Sequence, residues 1–481
     1  KHDVTGMLLY MQKETQYKTE PLPYRKQGVV GRVSYAYDGR YFIEGNFGYT
    51  GSEAFAKNHR FGFFPAVGVA YYLSNEPFYP KAIKKIANKI KIRASVGKTG
   101  NDTTDKRFVY RATYNMAAGS WSQGIGSNGG TNAIGNAIIE GFPETLDIGW
   151  EIETKQNYGF DLGLFDNKVD FVFDYFRSER SHILMQRNTP TVGGFRVNQY
   201  ANYGIVNNHG VDMSLNIHQQ IGKVKLSARG TFTYARNKIV EYDELPQRYP
   251  WMAQTGMRIN ENYLYIAERL YTKEDFIVSK NGSGIETYTL RSELPQSTLG
   301  GLLGPGDIKY KDINGDGIID SYDKVRGVGH PKVPEIVYGF GLNIEYKGFY
   351  ASAFFQGAGN CSVLLGGNTP EGWFPFSWGV DQSNYRTFAL DRWTEKNPSQ
   401  NVLMPRLHKD NTNAANNSVA STWWLRNGGF LRLKNVELGY QLPKKLLSKI
   451  NLQAARIYLM GYNIALWDDL KYFDPEAGNA N

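Results

Sequence analysis

The amino-acid sequence predicts an all-β fold, a transmembrane antiparallel β-barrel with long extracellular loops, and three observations carry that prediction. Apolar and polar residues alternate over many segments, which is the period of a strand with one apolar and one polar face. Aromatic residues make up 14% of the chain and 52 of its 481 residues are glycine, a composition typical of strands separated by turns. Short and long connections alternate along the chain, as they do in outer-membrane barrels.

The alternation is clear in 223–234 and recurs in 90–97 and 211–218. In 223–234 the apolar face would carry Val224, Leu226, Ala228, Phe232 and Tyr234. Lysine, serine, arginine and threonine occupy the positions between them. At Lys434-Asn435 the apolar phase slips by one residue, which predicts a β-bulge.

Thirteen segments have this pattern. They are 3–12, 27–37, 40–50, 61–73, 90–97, 154–165, 168–177, 205–218, 223–236, 335–346, 349–357, 429–441 and 451–464. Tight turns are predicted at Asp38-Gly39, Asp166-Asn167, Gln219–Gly222 and Lys347-Gly348. Bacterial barrels have an even number of strands, so we expect a further strand beyond this sequence and a chain truncated at both ends.

Composition excludes several other classes of protein. No run of 18 apolar residues is present, which excludes a transmembrane helix. The single Cys361 allows no internal disulfide and is expected to act as a small apolar residue. The net charge of +9 is spread along the chain, so no nucleic-acid-binding face is predicted. Neither a nucleophile elbow nor a Walker motif occurs, and no enzyme activity is predicted.

One stretch, Gly306 to Asp323, has the spacing of a calcium-binding loop. Its candidate ligands are Asp312, Asn314, Asp316, Ile318 through its carbonyl, Asp320 and Asp323, at positions 1, 3, 5, 7, 9 and 12. Gly317 stands at position 6, where the sharp turn requires glycine. Position 12 is Asp instead of Glu and no flanking helices are evident, so we expect a structural Ca²⁺ site and no EF-hand sensor. The alternative is a turn rich in Asx and Gly whose carboxylates point into solvent.

The predicted loop at 358–428 is rich in aromatic residues, and these are the candidate substrate or partner contacts. They are Trp373, Phe374, Phe376, Trp378, Trp423 and Trp424, together with Trp393. Flat aromatic rings stack on sugars and also anchor protein interfaces. The alternatives are that they form the loop's own core or lie in the membrane girdle.

Polar residues on the predicted lumen face form a second candidate set. They are Lys91, Arg93, Asp212, His218, Lys223, Lys225 and Arg229. Such side chains could contact a passing substrate. The alternative is a solvated wall held by cross-strand ion pairs.

Nine stretches together resemble the C-terminal part of SusC-like TonB-dependent outer-membrane transporters, the nutrient importers of Bacteroidetes. They are FPAVGVAYYLS at 64–74, IKIRASVGKTGN at 90–101, YGFDLGLFDNKVDFVFDYFRS at 158–178, NYGIVNNHGVDMSLNI at 202–217, GDIKYKDINGDGIIDSYDK at 306–324, VPEIVYGFGLNIEYKGFYASAFFQG at 333–357, NGGFLRLKNVELGYQLPKKL at 427–446, GYNIALW at 461–467 and FDPEAG at 473–478. The order of the stretches is that of the family, and the likeness spans essentially the whole chain.

The resemblance implies that 1–481 is the C-terminal part of a single barrel, with about fourteen of twenty-two strands once a final strand is restored. A plug, a TonB box and an N-terminal domain, which the family has, are absent from this sequence. It also implies a multi-pass protein of a Gram-negative outer membrane, in contact with membrane lipid. Its implied function is TonB-dependent active uptake of a nutrient oligomer.

The partners implied by the resemblance are a SusD-like surface lipoprotein and, through the N-terminal part, the TonB–ExbB–ExbD complex. A dimer of transporter–lipoprotein pairs is a further implied assembly. No cofactor other than structural calcium is expected. SusC-like proteins carry glycans or peptides. The tryptophan-rich loop and the more frequent substrate class of the family favour an oligosaccharide.

Two other functions stay open from the residues alone. A soluble or surface-anchored β-rich glycan-binding protein would keep the aromatic loops and the calcium-type loop but bury both faces of its strands. A glycoside hydrolase would need two carboxylates converging on one cleft, and no segment suggests this.

Overall fold

The computed structural model describes the chain apart from 17, 19–21, 105–106, 118–119, 126–130, 137, 189–190, 195–196, 281, 283, 366–386, 409–413, 449–451 and 477–481. The chain divides into two compact units, Lys1–Leu245 and Pro246–Asn481. No helix in the described part is long and apolar enough to cross a membrane.

The first unit contains nine long strands, each antiparallel to the next along the chain. They are β1 His2–Thr15, β2 Tyr24–Tyr37, β3 Tyr41–Ser52, β4 Phe61–Tyr72, β5 Ala87–Asn101, β6 Glu151–Leu164, β7 Val169–Gln186, β8 Tyr200–Ile221 and β9 Val224–Glu241. Two short ribbons pair Tyr114–Asn115 with Ile139–Glu140 and Ser120–Ile125 with Thr131–Asn136. One short helix, α1, spans Lys81–Lys84.

The second unit contains four long antiparallel strands. They are β10 Ile336–Tyr346, β11 Phe349–Gly359, β12 Phe430–Gln441 and β13 Arg456–Asp468. Its short strand pairs are Tyr263–Leu264 with Val325–Arg326, Ala267–Leu270 with Ile308–Tyr310, Phe276–Lys280 with Glu286–Leu290, Gln296–Ser297 with Ile318–Ile319, and Ser362–Leu364 with Leu425–Asn427. The short helices α2 and α3 span Ala415–Ser418 and Lys444–Leu447.

The thirteen predicted strands correspond to the thirteen long strands, and most of their turns are confirmed. Asp38 and Gly39 have left-handed φ of 52° and 65°, but Tyr37 pairs with Tyr41, so this turn contains the three residues 38–40 and is one residue longer than the predicted two-residue turn. The prediction of a turn at Gln219–Gly222 is wrong, because the turn begins three residues later, at Gly222. Ile221 pairs with Val224, so β8 continues to Ile221 and only two residues form the turn.

Several strand ends differ from the prediction, mainly on the side of the long connections. β7 reaches Gln186 where the pattern ended at 177, because the polar run Arg177–Arg180 breaks the alternation while its backbone still pairs with β8. Strand pairing needs only backbone donors and acceptors, so it extends beyond the apolar pattern. β13 begins at Arg456 and not at 451.

The predicted bulge is confirmed. Leu433 lies opposite Phe355 and Asn435 lies opposite Phe354, so Lys434 has no partner position on β11. The register to β13 shifts at the same place. This extra residue restores the apolar phase on the far side of the bulge.

One face of the strands is apolar and exposed. Ile43, Val69 and Leu342 are exposed to 50%, 48% and 52%. Along β3 this face begins with Tyr41, stacked on Tyr71 at 5.1 Å, and ends with Tyr49, stacked on Phe61 at 5.0 Å. The eight intervening steps span roughly 26 Å along the strand. An apolar band with aromatic residues at both edges is the lipid-facing surface of a barrel, and a soluble two-layer fold would bury it.

The packed interior lies in the connections between the long strands. Of the described residues, the largest fully buried side chains all belong to these connections. They are Phe55, Ile148, Leu264, Leu270, Tyr271, Asp307, Ile308, Tyr310, Ile319, Asp323, Met404 and Trp424. Most of them belong to the second unit.

We predict that Gly348→Ala destabilises the protein by about 1–3 kcal/mol, because Gly348 has φ of +92° and a Cβ there would lie 2.9 Å from the Gln441 carbonyl. The urea midpoint of the purified protein, followed by heat-modifiable gel mobility, measures this. Gly230→Ala is the matched control, since a Cβ at Gly230 meets nothing within 4 Å. Equal midpoints for the two variants would contradict the prediction.

Candidate functional site

The two longest connections of the second unit, 246–335 and 360–429, fold onto a shared apolar cluster that we call the loop core. Its buried members are Tyr265, Leu270, Ile308, Tyr310, Ile319, Phe388, Trp393, Met404 and Trp424. Burial raises the pKa of Tyr265 to about 12, so its phenol stays neutral and packs as an apolar group. The two connections therefore have a packed core of their own.

A buried carboxylate, Asp307, ties the two connections together. It is 1% exposed and accepts hydrogen bonds from Arg406 at 2.6 Å, Asn417 at 2.8 Å and the Gly304 backbone at 2.9 Å. The Nε2 atom of His408 lies 2.7 Å from the Oδ1 atom of Asp307. A buried charge is tolerated when it is paired and fully hydrogen-bonded, and Asp307 meets both conditions.

Two of the predicted aromatic contacts belong to the loop core. Trp424 is 1% exposed and donates its indole N–H to the Asn417 carbonyl at 2.8 Å. Trp423 packs against the same cluster and donates to the Leu403 carbonyl at 3.1 Å. The loop-core alternative therefore describes the packing of this pair, and their role in substrate or partner contact stays a prediction. The other four, Trp373, Phe374, Phe376 and Trp378, lie outside the described residues.

Trp393 also belongs to the loop core, where it covers a glycine. Gly306 has φ of +88°, and a Cβ on it would lie 2.2 Å from the Trp393 ring. Only glycine allows both the left-handed backbone and this close ring contact. The start of the calcium-type stretch is thus held by the core.

The calcium-type stretch forms a tight loop whose carboxylates bond its own backbone. Asp312 accepts from the N–H groups of Gly315 at 2.7 Å and Gly317 at 2.8 Å. Asp323 accepts from Ile313 at 2.8 Å and Asp320 at 2.9 Å. Over the described residues, no three His, Cys, Asp or Glu side chains converge closely enough to hold a metal ion. The structural calcium site therefore stays a prediction.

The donor chemistry of this loop nevertheless suits a hard cation. All six candidate ligands offer oxygen atoms, and Gly317 has φ of +80°, as the turn requires. Asp323 is fully buried, and this burial raises the pKa of its carboxyl while backbone N–H groups oppose the shift. A cation beside it would offset the cost of burying that charge.

On the polar face of the first unit, Arg93 joins three strands. It donates to Asp161 at 2.9 Å and to both oxygens of Asp174 at 2.8 Å. Gly159 lies opposite Arg93, and a Cβ there would come within 2.4 Å of Asp174. The missing side chain lets an arginine on β5 reach a carboxylate on β7. For Arg93, the alternative of a wall held by cross-strand ion pairs is confirmed.

The other polar candidates are distributed over β5, β8, β9 and the turn between β8 and β9. Lys91 lies over the Tyr72 ring at 5.2 Å, and Asp212 accepts from Thr233 at 2.7 Å. Lys223 lies in the turn after β8, not on a strand face. His218, Lys225 and Arg229 lie on β8 and β9.

Sequence reasoning missed the polar hub of the loop core. Asp307, Arg406, His408 and Asn417 carry no local motif, and their hydrogen bonds join residues about a hundred positions apart. The only signal was the neighbouring calcium-type stretch, which drew attention to the correct region.

We expect Asp307→Asn to loosen the loop core by about 2–4 kcal/mol, because an amide would direct N–H donors at Arg406 and His408. Limited proteolysis should cut 246–334 and 387–428 faster, while the heat-modifiable gel shift of the strands is kept. The matched control is Asp391→Asn, whose contact with Lys471 is 3.8 Å long and largely exposed. Cleavage of both variants at the wild-type rate would refute the role of the hub.

Comparisons with known proteins agree with this architecture. Residues 12–325 match the family model described as TonB dependent receptor-like, beta-barrel. TonB-dependent receptor P3 of Formosa agariphila is 26% identical over 473 residues, covering 94% of this chain and 42% of that protein. TonB-dependent receptor SusC of Bacteroides thetaiotaomicron is 22% identical over 456 residues, covering 93% and 41%.

Among solved structures, the RagAB peptide transporter superposes with a TM-score of 0.73 at 21% identity, covering 99% of this chain and 51% of that one. The likeness shows the fold and confirms the predicted β-barrel class. The chain spans less than half the length of the curated relatives given above. With about two thirds of its residues matched by the family model, the chain belongs to the TonB-dependent receptor-like β-barrel family.

Proposed function

We propose that this chain forms the C-terminal part of the barrel of an outer-membrane transporter that takes up a nutrient oligomer by TonB-dependent active transport. The strands carry an exposed apolar band, and the long connections beyond one edge of this band are folded. This observation carries the proposal. The band suits lipid, and structured long loops are usually functional. Family membership and the likeness to SusC support the same reading.

The proposed partners are a SusD-like surface lipoprotein over the long connections and the TonB–ExbB–ExbD complex through an N-terminal part. A dimer of transporter–lipoprotein pairs is the proposed assembly. The likeness to SusC and to the RagAB transporter supports a two-component importer. The loop core supports it as well, because a pre-ordered surface loses little entropy when a partner binds.

The substrate class is proposed as an oligomer, either oligosaccharide or peptide. The preference for oligosaccharide rested partly on the tryptophan-rich loop, and Trp424 is buried while Trp423 packs on the loop core. The solved relative is named a peptide transporter. Both classes are therefore assayed, and neither is assumed.

The experiment is to purify the whole protein from its native outer membrane in mild detergent and to measure the masses of everything that stays bound. We expect a chain about twice this length with a lipoprotein attached, and the retained ligand identifies the substrate class. Uptake of that ligand by cells with and without the gene then tests transport. A water-soluble protein of this size without a lipoprotein would overturn the proposal in favour of a glycan-binding protein.

We also propose that Ca²⁺ occupies the calcium-type loop and stiffens this connection. Removing calcium with a chelator should increase protease cleavage between 300 and 330 several-fold and leave the strands folded, because the strands are held by their own backbone hydrogen bonds. A variant with Asp312→Asn and Asp316→Asn should be cleaved equally with and without chelator. If chelation leaves cleavage of the unaltered protein unchanged, the loop binds no calcium that matters for its structure.

A further inference from the structure

The connection between β4 and β5, residues 73–86, has no role in the proposed transport, and we call it the lysine foot. It lies at the end of the strands where the tight turns are, because it follows β4 on the same side as the Asp38-Gly39 hairpin. In outer-membrane barrels the short turns are periplasmic. Most of the foot's neighbours at this end are turns of two to four residues, so a fourteen-residue excursion requires a reason.

The foot is fastened to the lipid-facing side of the sheet. Glu76, whose side chain is 3% exposed, accepts from Arg40 at 2.8 Å and from the Tyr41 hydroxyl at 2.6 Å. Asn75 donates to the Gly39 carbonyl at 2.9 Å. Tyr41 and the stacked Tyr71 lie on the same face as the exposed Ile43 and Val69. The anchor therefore places the start of the foot at the aromatic edge of the apolar band.

Beyond this anchor the foot exposes both apolar and cationic side chains. Phe78, Ile83 and Ile86 are exposed to 70%, 47% and 55%. The residues 81–86 are all exposed, and they include Lys81, Lys84 and Lys85. In the described part of the chain, none of these three lysines has a carboxylate within 4.0 Å. The foot therefore presents three exposed apolar side chains beside three cations that have no acidic partner within that distance.

Their arrangement is that of an interfacial segment. α1 and the turn after it bring Ile83 and Ile86 to one side at a spacing of three, and Lys81 and Lys85 to another at a spacing of four. Apolar groups can then enter the boundary between headgroups and acyl chains while lysine stems extend towards the phosphates. The segment is continuous with the lipid-facing band at Tyr41 and Tyr71.

We infer that the lysine foot binds the anionic phospholipid headgroups of the leaflet that borders the short turns. Lys81, Lys84 and Lys85 contact the headgroup phosphates, and Phe78, Ile83 and Ile86 enter the interface. The inference depends on the barrel fold and not on the transported substrate. We favour lipid over a protein partner because the three lysines adjoin the lipid-facing band. Binding of a protein would not require the lysines to lie next to that band.

In the second unit, the connection 442–455 also contains a short helix that is preceded by proline and begins with lysine, at Pro443 and Lys444. There Leu447 is 3% exposed, so at least one of its apolar side chains packs inward. The lysine foot differs in exposing its apolar residues. The similarity of sequence alone therefore does not extend the inference to 442–455.

The test uses the whole protein in nanodiscs of equal parts phosphatidylcholine and phosphatidylglycerol, with retained lipids counted by native mass spectrometry. The unaltered protein should retain phosphatidylglycerol preferentially. The triple variant Lys81→Gln, Lys84→Gln, Lys85→Gln should lose this preference roughly a hundred-fold, at about five-fold for each lysine near an anionic surface. Heat-modifiable gel mobility checks that each variant is folded.

The matched control is Lys13→Gln, Lys57→Gln, Lys98→Gln, which removes the same charge from exposed positions near the long connections. It should retain phosphatidylglycerol as the unaltered protein does. Unchanged retention in the foot variant overturns the inference and leaves a periplasmic protein as the candidate partner. Equal loss in both triple variants also overturns it, since net charge would then be the cause. Neither outcome bears on whether the protein transports a nutrient.

Discussion

The hydrogen bonding of the backbone between neighbouring strands is the constraint on which the rest of this structure depends. Lipid offers no partner for an amide N–H or a carbonyl, so a chain that crosses it with strands must satisfy these groups in antiparallel ladders. The long strands do so with few irregularities, among them the bulge at Lys434 and the register shifts in β7 and β8. Once the ladders are formed, stability does not require the strands to bury their apolar face. That face remains exposed, and the packed interior moves into the connections.

This division explains why the strands could be predicted from the sequence. Whether a strand residue faces lipid or lumen depends on its parity along the strand, and parity is visible in the letters themselves. A one-residue slip is visible for the same reason, and the bulge beside Leu433 was predicted from it. The strand ends near the long connections were not visible, because polar residues there continue the ladder without continuing the alternation. Arg177–Arg180 in β7 shows this most clearly.

The loop core could not be predicted in the same way, since its contacts are long in sequence. Asp307 and Asn417 are 110 positions apart, and no periodicity connects them. An aromatic residue in a long connection has the same one-letter code whether it meets a ligand or fills a core. Trp424 and Trp393 fill the core, and Gly306 makes room for the Trp393 ring because it has no Cβ. Folded connections of this kind offer a fixed surface, which suits the proposed lipoprotein partner.

The calcium-type loop has an exposed first half and a buried second half. Ile319 is 1% exposed and Asp323 is fully buried, so the second half of the loop belongs to the loop core. Asp323 closes the loop through its two oxygens, which accept hydrogen bonds from the backbone N–H groups of Ile313 and Asp320. Each carboxylate oxygen has a second lone pair, so the same group can also face an ion. The exposed first half, from Asp312 to Asp316, is then the part of the loop whose stiffness depends most on a bound ion.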